Sequence, residues 1–204
     1  MNPHLLRAIF LMFSLKQEFK FVLWTFILVL SFPLVAVLVV SNTGNQAVSD
    51  QLVTINAANQ TIEIRDPTGK VISTIQTETV WPVQGTVTLE FGESDLPYQP
   101  IHTGIDIANP QGQSGDPVTT FMKGKVSYVG NLSWGYGKHV IIDHGNNITS
   151  LYAHLNSVAV TQGQAVNPGD IIGREGETGW ATGPHLHFEV RVFGLPVNPE
   201  TFIK

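Results

Sequence analysis

The chain carries seven histidines, and six of them fall between positions 102 and 187. Imidazole binds transition metals and, with an ordinary pKa of about 6.5, moves protons near neutral pH. Such clustering in a chain with only 13% charged residues points to a reaction centre. His102-Thr-Gly-Ile-Asp106 comes first. In extended backbone, residues two apart face one side, so His102 and Asp106 project together, with Gly104 leaving room between them. Imidazole nitrogen and carboxylate oxygen both bind zinc, at about 2.0–2.2 Å, although an isolated pair of this kind is more often plain solvated surface. His185-Leu-His187 comes second. On a strand both rings face one side while Leu186 enters the core, so one can bind metal while the other meets substrate or water. Glu189 continues that face, either hydrogen-bonded to a ligand histidine or as a solvated charge. His154, in SLYAHL, shares a face with Tyr152; a lone histidine on a strand is more often structural than catalytic. There is no cysteine, so disulfides and thiolate sites are excluded and any zinc must sit on histidine and carboxylate. Without an H-E-x-x-H motif, no glutamate base of that kind is supplied.

These residues need a scaffold, and the pattern around them is β. From Val80 onward short runs such as TVTLEF, KVSYVG, KHVIID, SLYAHL and HLHFEVRVF alternate, or are β-branched and aromatic. Gly, Pro, Asn and Asp separate them about every 8–12 residues, which predicts an all-β antiparallel sandwich or barrel over 80–204. Ahead of it, TIEIRD and VISTIQTE flank a Pro/Gly turn and predict a β-hairpin. It follows a small, polar stretch at 41–60 that reads as a linker, so 41–79 forms a linker with a hairpin.

Residues 21–40 contain no charge and are long enough as a helix to cross a bilayer core of about 30 Å. Arg7, Lys16 and Lys20 precede the run against Glu18 alone, and the first basic residue after it is Arg65. The positive-inside rule predicts a single-pass cell-membrane anchor, with residues 1–20 cytoplasmic and everything after about residue 41 outside. A cleaved signal peptide normally has a shorter apolar core of about 7–15 residues. Leu5–Leu15 reads as an interfacial helix. The net charge of −5, with no cluster of Lys and Arg, argues against nucleic acid as a partner.

The order H-T-G-I-D, then Y-A-H-L, then G-P-H-L-H-F-E resembles the signature of the lysostaphin/LytM-type zinc metalloendopeptidases. WPVQGTVTLEFG, DPVTTFMKGKVSYVG, GYGKHVIIDHGNNITSLYAHL and PVNPETFI extend the resemblance across residues 80–202. It implies the duplicated-hybrid-motif β core of that family and one Zn2+ per chain. His102, Asp106 and His187 are then the metal ligands, and His154 and His185 the two catalytic histidines that bind no metal. His185 is the better acceptor of the water proton, while His154 holds the developing oxyanion or protonates the leaving amine. Three protein ligands leave one tetrahedral position open, the mark of a catalytic zinc site. The implied reaction is hydrolysis of peptide cross-links in peptidoglycan, with cell-wall amidases or envelope machinery as further partners. Tyr136 and Trp180 either line the groove or pack its loops. His144 is read as structural, and His139 is given no role. A non-catalytic activator of wall amidases is the alternative, although the site residues it would be expected to lose are all present. A lipoyl-type carrier fails because Lys123 and Lys125 do not sit on the required turn.

Overall fold

The computed structural model describes residues 44, 46–56, 61–76, 78–93 and 101–203. The cytoplasmic segment and membrane span expected over 1–40 lie outside these residues. Among the described residues no helix is long and apolar enough to cross a membrane.

Residues 46–52 are helical. They lead into three antiparallel strands in the order β1-β2-β3: β1 (Val53–Asn56), β2 (Thr61–Arg65) and β3 (Val71–Gln76). The expected hairpin is β2–β3, and its turn is fixed by Asp66. Its Oδ1 accepts the backbone N–H groups of Thr68 (2.9 Å) and Lys70 (3.1 Å). The stretch read as linker is therefore partly regular. Leu52 and Val53 are buried in the hydrophobic core, and Ser49 Oγ accepts the Asn198 backbone N–H at 2.9 Å. Both anchors come from distant residues, so no local periodicity announced them.

The remaining strands are β4 (Thr86–Leu89), β5 (Ile105–Ala108), β6 (Pro117–Thr119), β7 (Gly124–Asn131), β8 (Lys138–Gly145), β9 (Ile148–Leu155), β10 (Ser157–Val158), β11 (Ala165–Val166), β12 (Ile171–Arg174), β13 (Leu186–Val192) and β14 (Leu195–Val197). Eight form the main antiparallel sheet, in the order β11-β7-β8-β9-β13-β5-β4, with β14 along the far half of β13. A small sheet runs β10-β12-β6. The main sheet ends at β11 and β4, which do not pair with each other. The antiparallel β core is as expected, but it is an open sheet and the barrel alternative does not hold. β11 is only two residues long, too short to carry a closing ladder.

Two local features place the site. The β8–β9 hairpin turns through Asn146 (φ 52°) and Asn147 (φ 61°); asparagine tolerates this left-handed backbone, and two positive φ values match the twist of a hairpin. Strand β13 divides its side chains by the two-residue period. Leu186, Phe188, Val190 and Val192 are all fully buried on the core face. There Phe188 meets Phe121 and Tyr152 at ring separations of 5.4 and 5.2 Å. His187, Glu189 and Arg191 occupy the opposite face. Burying a Phe- or Leu-sized side chain stabilises by about 1.5–3 kcal/mol, so slipping β13 by one residue would turn four such residues outward.

Candidate metal centre and cleft

β13 is flanked by β9 on one side and β5 on the other, and His187 pairs with both Ala153 and Asp106. Asp106 and His187 thus meet across the ladder by register alone. His102 is not on a strand, as its pattern had suggested. It lies in the bend before β5, held by backbone bonds to Glu93 (His102 N–H to O, 2.7 Å) and from Gly92 (2.9 Å). Gly104 lets this bend pass β13, since a Cβ there would sit 2.2 Å from the Phe188 carbonyl oxygen.

The three side chains converge. His187 Nδ1 lies 2.8 Å from Asp106 Oδ1, His102 Nε2 lies 3.1 Å from the same oxygen, and the two ring nitrogens are 3.0 Å apart. Ligands around a tetrahedral zinc at about 2.0–2.1 Å lie about 3.3 Å from one another. The outer nitrogens decide what these atoms can do. His102 Nδ1 faces the Glu90 carbonyl oxygen at 3.1 Å, which only accepts, so Nδ1 carries the proton and Nε2 presents a lone pair. His187 Nε2 donates to Glu189 Oε1 at 3.0 Å, so Nδ1 presents another. Asp106 supplies a third: without a metal, burial opposes its ionisation, but N–H groups of protonated His102 and His187 outweigh it and hold its carboxyl far below the usual range, and a cation takes the place of those protons. Three lone pairs aimed at one point repel unless a cation lies between them. Burial also works against a charged His187, yet Asp106 and Glu189 raise its pKa to about 9. A proton there satisfies only part of a site that fits a dication.

Glu189 is fully buried and is not a solvated charge. Its Oε1 also accepts Thr103 Oγ1 (2.6 Å) and Tyr136 Oη (2.8 Å), and its Oε2 accepts Arg191 Nε (2.6 Å). His187 and Arg191 keep the carboxyl ionised against burial. Arg191 also donates to Tyr136 Oη at 3.1 Å.

His185 and His154 complete the cleft. His185 Nδ1 donates to Gly183 O at 2.9 Å, which leaves Nε2 facing Asp106 Oδ2 at 3.6 Å. His154 Nδ1 donates to Thr178 O at 2.7 Å, so its Nε2 is likewise bare. The rings are 4.7 Å apart. Burial is the main reason the His154 pKa falls to about 4, with His185 adding to it, so His154 is neutral at pH 7. His154 does not share a setting with Tyr152 as simple alternation predicted. Lys138 pairs with Leu155 and Val140 with Tyr152, so β9 carries one extra residue there, and His154 takes a left-handed φ of 60°. This bulge re-aims His154 into the cleft while Tyr152 stays in the core.

The cleft has a volume of about 550 Å3, and Tyr136, Trp134 and Trp180 line it with the histidines. Both tryptophans are exposed, with ring centres 6.1 Å apart. His144 is structural: it bonds Lys123 O (2.9 Å) and Ser150 Oγ (2.7 Å), and burial lowers its pKa to about 4. His139 packs between Tyr128 and Tyr136. Sequence reading missed Thr103, Trp134, Thr178 and Arg191. Arg191 alone had a local signal, as the next same-face position after Glu189.

Residues 100–199 match the model of peptidase family M23. The chain is 48% identical over 99 residues to the DD-carboxypeptidase/endopeptidase Mpg of Neisseria meningitidis serogroup B, covering 48% of this chain and 22% of that protein. It is 33% identical over 161 residues to the murein hydrolase activator NlpD of Salmonella dublin, covering 78% of this chain and 41% of that protein. It therefore spans about a fifth of the first relative's length and about two fifths of the second's. Among solved structures, it resembles the catalytic domain of a mutant of the prophage-encoded M23 protein EnpA from Enterococcus faecalis. There the TM-score is 0.51 and the identity 34%, over 63% of this chain and 94% of the other.

Proposed function

Because the chain belongs to peptidase family M23, we propose that it is a zinc endopeptidase that hydrolyses peptide cross-links of peptidoglycan. The observation that carries this reading is the convergence of His102 Nε2, Asp106 Oδ1 and His187 Nδ1, each with its lone pair directed inward. Zinc held there supplies Lewis acidity, making water acidic and polarising a carbonyl. The rest falls to the chain's own side chains. His185 and His154 each present a bare Nε2 to the cleft, and both are held by Nδ1 donation to a backbone carbonyl. His185, beside ligand His187, accepts the proton of the attacking water. That proton passes to the leaving amine, directly or through His154, whose ring lies 4.7 Å from that of His185; His154 carrying it also steadies the oxyanion. Positioned proton transfer of this kind contributes about 10²–10⁴-fold.

The proposed setting is the cell membrane, with residues 21–40 as a single-pass anchor, residues 1–20 cytoplasmic and the 80–204 domain on the wall side. The 41–79 segment spaces the domain from the anchor. A second reading has one observation in its favour: the similarity to an NlpD activator extends over 78% of this chain. In that reading the protein binds zinc and stimulates wall amidases without cutting.

Metal analysis together with mass-analysed digestion of purified peptidoglycan separates the two. The proposal expects one zinc per chain and new peptide ends. His102→Ala loses the zinc and the activity, and His185→Ala and His154→Ala keep zinc but lose about 10²–10⁴-fold in rate. Zinc without cleavage, together with stimulation of an amidase, would favour the activator. A folded chain that binds no zinc would overturn both.

A further inference from the structure

Glu175 takes no part in the cleft chemistry, yet it is fully buried and neither of its carboxylate oxygens has a hydrogen-bond partner. Among the described residues, no other buried side-chain nitrogen or oxygen is in that position. A buried carboxylate is normally paired, hydrogen-bonded or bound to a metal. More negative charge lies beside it. Glu175 N–H donates to Asp116 O at 2.9 Å and Gly115 N–H to Glu175 O at 3.0 Å, so Glu175 and Asp116 are neighbours where β6 and β12 continue past their ends. Burial first, and then the Asp116 charge, raise the Glu175 carboxyl to about 7; the Asn109 backbone N–H, near the carboxyl but outside hydrogen-bonding geometry, works the other way.

The surrounding polar groups are committed elsewhere. Asn109 Oδ1 accepts the Gln111 N–H at 2.8 Å, which fixes the amide so that its nitrogen donates to Asp116 Oδ2. Arg174, the nearest cation in sequence, donates to the Gly115 carbonyl oxygen at 2.7 Å. The cluster thus has a buried carboxylate with unused oxygens and a second carboxylate held in place beside it.

We propose that Glu175 and Asp116 hold a hard divalent cation at a second position, separate from the His102–Asp106–His187 centre. Donors that are oxygen alone select Ca2+ or Mg2+ over zinc, and two carboxylates balance its charge. The position gives such a cation a role. The loop bearing Asn109 and Asp116 leaves β5, which carries Asp106. Gly176, next to Glu175, accepts the His185 N–H at 3.1 Å. A cation between Glu175 and Asp116 braces the segments on which a metal ligand and a catalytic histidine depend.

The test is a titration of calcium chloride, and separately magnesium chloride, into the full zinc-loaded chain, read by thermal unfolding and by bound-metal analysis. Near about pH 8 one of the two cations raises Tm saturably, with half-effect in the range of about 0.1–1 mM typical of extracellular oxygen sites. One equivalent beyond zinc is retained. The response vanishes in Glu175→Gln and in Asp116→Asn, survives in His102→Ala, and fades near about pH 5, where Glu175 is protonated and cannot ligate. The proposal is overturned if neither cation shifts Tm near about pH 8, or if the shift persists in both carboxylate variants.

Discussion

Glu189→Gln tests the metal centre from behind. The substitution keeps the shape of the side chain but replaces one oxygen with a donor. Glu189 Oε1 now accepts from His187, Thr103 and Tyr136, and Oε2 accepts from Arg191. With the amide oxygen toward His187, the amide nitrogen confronts the Arg191 guanidinium. With the amide reversed, its nitrogen confronts His187 Nε2 and favours the tautomer protonated on Nδ1, the atom that faces Asp106 and His102. Either arrangement opposes metal binding. Loss of an outer partner to a ligand histidine lowers metal affinity about 10–100-fold, which is about 1.4–2.7 kcal/mol. Removing the charge that pairs with Arg191 costs a further about 1.5–3 kcal/mol of fold stability, a fall in Tm of about 3–12 °C for a domain of this size. Chelator competition gives the first quantity and a melting curve the second. Tyr136→Phe is the comparison: it removes one donor to Glu189 but leaves the charge and the His187 tautomer, so its zinc affinity stays near that of the parent. A variant that melts lower yet binds zinc as tightly as the parent would refute the claim that Glu189 sets the donor atom of His187.

Zinc uptake should release about one proton per chain at neutral pH, because His187 is raised to about 9 and must give up its Nδ1 proton to ligate. Affinity then rises about tenfold per pH unit until about pH 9; stopped-flow with a pH indicator reads the proton, and no release would remove the basis for it. Gly104→Ala places a methyl 2.2 Å from the Phe188 carbonyl oxygen, so it should lower stability by about 1–3 kcal/mol and loosen zinc in the same variant. A wild-type melting curve and zinc affinity would show that the bend carrying His102 has room to spare. Trp134→Ala and Trp180→Ala alter exposed side chains and should leave stability within about 0.5 kcal/mol of the parent, while lowering kcat/KM on peptidoglycan. Unchanged turnover would take both rings out of substrate binding.

Much of the site was legible because its residues are separated by short, regular intervals. His185, His187, Glu189 and Arg191 alternate on one stretch, and two-residue periodicity alone puts three of them on the polar face of β13. The His102–Asp106 spacing indicated a shared direction, although for a bend rather than a strand. What stayed hidden depends on distant partners. Which nitrogen of His187 faces Asp106 and His102 is decided by Glu189 behind it and Asp106 across the ladder. The aim of His154 depends on one extra residue in β9 opposite β8, and a bulge leaves no mark on the hydrophobic pattern. The order in 46–56 comes from burial against residues far along the chain. The open sheet, rather than a barrel, follows from strand ends too short to carry a sequence signature.

The carbonyls of Thr178 and Gly183 hold the two non-ligand histidines, and both belong to the single loop between β12 and β13. Thr178 is itself tied to Lys138 N (2.9 Å) and Leu155 O (2.9 Å) through its hydroxyl, and Trp180 N–H reaches Gly135 O at 2.9 Å. One short stretch of chain therefore works as a yoke for both imidazoles. Anything that grips the exposed Trp180 and shifts the yoke would disengage both together, and with them the proposed proton transfer, while His102, Asp106 and His187 stay in place.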